Sequence, residues 1–131
     1  MDDHSRRHLA RERALQLLYE AAIKERSVED VLAAQSSAPD PYTLTLVHSA
    51  SDHEAIAHEL IASNAHDWSF ERLALIDRLV MTLAIAELLL AEPPPVAVVL
   101  DEAVELAKEY STDASGAFVN GVLAACVAHL H

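Results

Sequence analysis

Leu79-Val80-Met81-Thr82-Leu83-Ala84-Ile85-Ala86-Glu87-Leu88-Leu89-Leu90-Ala91 is apolar almost all the way round a helix, broken only by Thr82 and Glu87. It shows no period-two alternation, and a helix without a polar face belongs at the centre of a core. The run is too short, and too interrupted by charge, to span a bilayer. Glu92-Pro93-Pro94-Pro95 ends it, because proline cannot continue a helix. Upstream, Asp67 or Ser69 is the expected N-cap, giving a helix that runs to Ala91.

The flanking segments also read as helices. From about Ser5 to Lys24, Ala10, Ala14, Leu17, Leu18 and Ala21 share one arc at 100° per residue. Ser27 caps a second helix carrying Val28, Val31 and Leu32, and residues 35–43, with two prolines, form a loop. A third helical region covers residues 43–65. After the prolines, Val96, Val99, Leu100, Ala103, Leu106, Ala107 and Tyr110 make one face of a helix, while Asp101, Glu102, Glu105 and Glu109 make its solvated face. Thr112 or Asp113 caps a last helix on which Phe118, Val119, Val122, Leu123, Cys126, Val127 and Leu130 keep helical spacing. With only 2 glycines and 5% aromatics among 131 residues, the composition favours helix over sheet. An all-α bundle of six to seven helices follows.

The formal net charge is -12, which argues against a nucleic-acid binder until the distribution is considered. Arg6, Arg7, Arg11 and Arg13 cluster at one end of an otherwise acidic chain. Arg6, Arg7 and His8 lie near the positive end of the first helix dipole, where cations are disfavoured. Arg7 and Arg11 also fall on the core arc with Ala14 and Leu18. Either the helix overhangs its neighbours there, or the arginines line a groove that binds an anion, where bidentate phosphate contacts would offset the cost.

Other residues admit two readings each. Gly121, inside the last helix, costs about 1 kcal/mol relative to Ala. It serves either close helix packing or an exposed edge on which Phe118 stacks a base and Asn120 hydrogen-bonds one. Glu87 must be paired or lie at an interface, since an unpaired buried carboxylate is costly. The Tyr19 ring can pack while its hydroxyl reaches a polar partner.

No catalytic residue, cofactor or metal site is expected. His53 and His58 stand five apart rather than the four that align ligands on a helix, and His129 and His131 are terminal. Cys126, the single cysteine, reads as core filler, so no disulfide framework exists. The opening residues lack the apolar run of a signal peptide, and a cytoplasmic, non-enzymatic protein is expected.

Four blocks in order resemble the NusB family of transcription antitermination factors. They are Arg7-His8 through Tyr19-Glu20; Trp68-Ser69 through Arg78 with Leu83-Ala84 and Glu87-Leu88; Pro95 with Val99 through Lys108; and Phe118-Val119-Asn120-Gly121-Val122-Leu123. The resemblance implies one NusB-like domain with helical halves at about residues 1–66 and 67–131. It implies binding of boxA-type single-stranded RNA together with the ribosomal protein NusE, and entry into an RNA polymerase antitermination complex. Arg6, Arg7, His8 and Arg11 would hold phosphates, Phe118 and Asn120 would read bases, and Tyr19 and Glu87 would face the protein partner. Some relatives form homodimers, so a homodimer is compatible with the resemblance.

The sequence departs from the family at Ala117, where Lys is common, at Ala124 and Asp101, which replace frequent Asp and Asn, and at His8, often Arg. These changes thin the RNA surface. They leave open a protein-interaction module with weak or no RNA binding, or the N-terminal domain of an RNA cytosine methyltransferase.

Overall fold

Residues 1–66 and 69–130, described by the computed structural model, form seven α-helices and one 3-10 turn, with no strand among them. The helices are α1 (Asp3–Lys24), α2 (Val28–Ala33), α3 (Pro41–Asp52), α4 (Glu54–Asn64), α5 (Leu75–Leu88), α6 (Val96–Tyr110) and α7 (Asp113–Val127). The apolar run does lie at the centre: every residue from Val80 to Glu87 in α5 is buried. A helix buried all round needs neighbours on every side. α1, α3, α4, α6 and α7 all pack on α5, while α2 closes against α1 and α3.

The helix ends follow local chemistry. Asp2, Ser27, Asp40 and Thr112 each accept a backbone N–H of the first turn, at 2.8–3.1 Å. Each such cap contributes about 1 kcal/mol. Pro41 occupies the first turn of α3, where its missing N–H costs nothing.

Three sequence-based boundaries shift. Residues 43–65 form two helices rather than one: the backbone of His53 turns away at φ -108°, ψ 15°. Its ring Nδ1 lies 3.0 Å from the Ser49 carbonyl, so the side chain bonds the helix end it terminates. The central helix starts at Leu75. Ser69 caps no helix; a 3-10 turn, Phe70–Arg72, follows it, and Leu73 and Ala74 are extended with Leu73 buried. Burying Leu73 and half-burying Phe70 outweighs continuing the helix upstream. Asp67, the other expected cap, and Trp68 lie outside the described residues. The same helix ends at Leu88, ahead of the proline run. Among the described residues, no helix is long and apolar enough to cross a membrane.

Candidate nucleic-acid interface

The arginine-bearing face of α1 turns inward at Arg11, in keeping with its place on the core arc. Arg11 is 2% exposed. Its Nε donates to Glu87 Oε1 and Oε2 at 2.9 and 3.1 Å, and its Nη2 donates to Oε2 at 2.8 Å. Its Nη1 stands 3.7 Å from Glu102 Oε2. The Tyr42 hydroxyl also donates to Glu87 Oε2. Burial disfavours the Arg11 charge, but the hydrogen bonds and charge of Glu87, then Glu102, outweigh it and hold the guanidinium pKa above its ordinary range. Burial and the bond to Glu87 likewise push the Tyr42 phenol up. Two sequence-based assignments therefore change. Arg11 is not exposed to a phosphate, and Glu87 is not on a partner-facing surface; each neutralises the other inside the protein.

Arg6 and Arg7 remain outside. Arg6 Nε is 3.0 Å from Asp40 Oδ2, and Arg7 Nε is 3.4 Å from Asp3 Oδ2. Exposed pairs of this kind are worth about 0–1 kcal/mol and exchange readily for another anion. The Arg7 guanidinium also lies 5.0 Å from the centroid of the Tyr42 ring, a cation–π contact. Together Asp3, Arg6, Arg7, Pro41, Tyr42 and Thr45 line a groove of about 280 Å³ between α1 and α3. The buried Glu87 thus anchors the Tyr42 hydroxyl, and the Tyr42 ring lies against Arg7.

His8 looks elsewhere. Its Nδ1–H donates to Glu102 Oε2 at 2.7 Å, and its Nε2 is 3.8 Å from Glu12 Oε1. The bond to Glu102 raises the His8 pKa against partial burial, helped by the charges of Glu102, Glu12 and Glu109.

The α7 residues divide. Phe118 is half-buried and shares a shallow pocket of about 200 Å³ with Arg72, Leu73, Ala74 and Asp77. Asn120 is exposed, and two residues of helix turn it roughly 200° from Phe118, on the opposite side. Ser115 Oγ donates to Asp77 Oδ2 at 3.1 Å, pinning this end of α7 to the start of α5. Arg11 grips Glu87, ten residues further along α5, on the order of 15 Å away along the axis. The structure brings Arg6, Arg7 and Tyr42 together, but it does not place Phe118 or Asn120 in that groove.

Ala117, Asn120, Gly121 and Ala124 form one exposed stripe on α7. A methyl group at Gly121 would meet no atom within 4 Å, so close helix packing is not what this glycine serves. Gly116 does serve it: a methyl there would come within 2.9 Å of Lys108 Cε. Tyr19 is 41% exposed, and Ile23, one turn later, is 56% exposed. Cys126 is fully buried, as core filler should be.

Two residues central to this geometry were not singled out from the sequence as site residues, Tyr42 and Glu102. Glu102 reads as solvated because its helix is rich in carboxylates, yet it is 7% exposed. Its spacing from Val99 and Leu106 places it on the buried arc, which is the signal that reveals it. Tyr42 follows a proline in a presumed loop, and no local pattern predicts its contact with Glu87, 45 residues away.

The NusB family model matches residues 8–128. The chain is similar to NusB of T. maritima at 29% identity and a TM-score of 0.82, over 95% of this chain and 92% of that one. Against the solution structure of NusB from Aquifex aeolicus the identity is 25% and the TM-score 0.79, over 97% and 89%. Against a chain in the crystal structure of antitermination factors NusB and NusE in complex with dsRNA, the values are 26% and 0.80, over 98% and 99%. With all-helical architecture, central α5 and the basic tip of α1 in place, the match over nearly the whole length shows that this chain belongs to the NusB family.

Proposed function

We propose that this chain is a non-catalytic antitermination factor that binds boxA-type single-stranded RNA jointly with NusE and carries it to RNA polymerase. One observation supports direct RNA contact: an exposed arginine, a half-buried one and an aromatic floor line a groove at the α1 tip. Arginine there supplies planar, bidentate donors for phosphate, while counterion release supplies sequence-independent affinity. Tyr19, with Ile23 beside it, is the candidate protein-facing patch, and the burial of Glu87 leaves that role to the exposed face of α1.

Fluorescence anisotropy with a short boxA-like RNA, its duplex form and a scrambled strand tests this, with and without NusE, across a salt series. Binding is expected to tighten when NusE is added. Replacing both Arg6 and Arg7 by Ala should weaken binding to every sequence and flatten the plot of log affinity against log salt by about 1.4, at roughly 0.7 per phosphate contact on a single strand. RNA affinity unchanged in the double variant would remove these arginines from the interface.

A second reading has its own support. Ala117 and Ala124, which replace polar residues common in the family, flank Asn120 on the exposed stripe of α7. Such a stripe favours a protein-interaction module with little RNA affinity. No RNA shift even with NusE bound would select it.

A further inference from the structure

His8, Glu12 and Glu109 approach one another where α1 passes the end of α6, with one potential ligand atom from each lying within 4.8 Å of the other two. His8 and Glu12 are four residues apart on α1, the spacing that places two side chains on one helix face. Glu109 comes from the last turn of α6. These are one imidazole and two carboxylates converging from two helices.

Two neighbours orient this set. Glu102 takes the Nδ1–H of His8, which leaves Nε2 directed toward Glu12. The Tyr110 hydroxyl donates to Glu12 Oε2 at 2.9 Å, while Glu12 Oε1 faces His8 at 3.8 Å. A carboxylate on the far nitrogen of an imidazole is the arrangement that fixes tautomer and ring plane for metal ligation. Ligand atoms at about 2.0–2.2 Å from zinc would need His8 and Glu12 to close by only a few tenths of an ångström. Glu109 is exposed and free to move.

We propose that His8, Glu12 and Glu109 form a binding site for a divalent ion of the zinc type, with Glu102 and Tyr110 as positioning residues. The imidazole nitrogen selects against magnesium, which takes oxygen ligands and gives up water reluctantly. Three protein ligands leave the remaining coordination to water. Glu102, Glu12 and Glu109 face the His8 ring, and Arg11 and His4 reach it only through Glu102, so the ring looks onto negative charge.

Isothermal titration of the chelator-treated protein with zinc chloride at neutral pH tests the site. Cobalt absorption serves as a second readout. Wild type is expected to bind zinc but not magnesium. Glu109→Gln, at an exposed position that should not disturb folding, and His8→Gln should each lower the affinity by about tenfold or more. Affinity unchanged in both variants would place the ion on other histidines, such as the terminal His129 and His131, and overturn the proposal. Absence of zinc binding by wild type would overturn it too.

Discussion

Arg11 is fixed by geometry rather than by exposure: its Nε and Nη2 donate to Glu87, its Nη1 lies near Glu102, and the side chain is almost wholly buried. Removing one member of a buried pair leaves the other charge uncompensated, so Arg11→Ala should cost about 3–5 kcal/mol in urea melts. Arg6→Ala and Arg7→Ala should each stay within about 1 kcal/mol of wild type, as exposed pairs do. A wild-type melt for Arg11→Ala would show that the hub contributes little. His8 gives a pH signature. Its pKa is raised in the fold, so its contribution is fully present below its unfolded value near 6.5 and disappears as pH rises through the folded value. In metal-free buffer, the difference in midpoint temperature between wild type and His8→Gln should therefore be largest in mild acid and shrink in alkali. A difference independent of pH would mean that the ring acts through packing alone.

Among the elements, α7 makes a sharp prediction. Gly121 lies inside the helix with open space beside it, and Gly there is less favourable than Ala by about 1 kcal/mol. Gly121→Ala should raise the thermal midpoint, and if that face meets a partner backbone, it should weaken partner binding at the same time. Destabilisation by Gly121→Ala would contradict the open environment. The helices also show what a sequence conveys. The apolar run of α5 and the spacing of α6 and α7 depend only on local periodicity, so their place in the core was readable. The break at His53 and the late start of α5 depend on tertiary burial of Leu73 and on side-chain bonds to the backbone, so they were not. The position of Arg11 on the core arc was legible, but its counter-charges come from residues 76 and 91 positions away, beyond the reach of local pattern.

For the molecule as a whole, the net charge of -12 and the basic tip pull in opposite directions. Long-range repulsion slows the approach of RNA, while Arg6 and Arg7 offer a small attractive spot within a Debye length of about 8 Å. Internalising Arg11 shrinks that spot, which is the physical reason to expect dependence on a second protein for RNA affinity. The hub formed by Arg11, Glu87, Tyr42 and Glu102 ties α1, α3, α5 and α6 at one point. Because replacing Arg11 strands the Glu87 carboxylate in the interior, and replacing Glu87 leaves Arg11 only the longer contact to Glu102, these two positions are locked into concerted drift. A lineage could trade the ionic knot for a greasy one only by a simultaneous exchange or through a crippled ancestor.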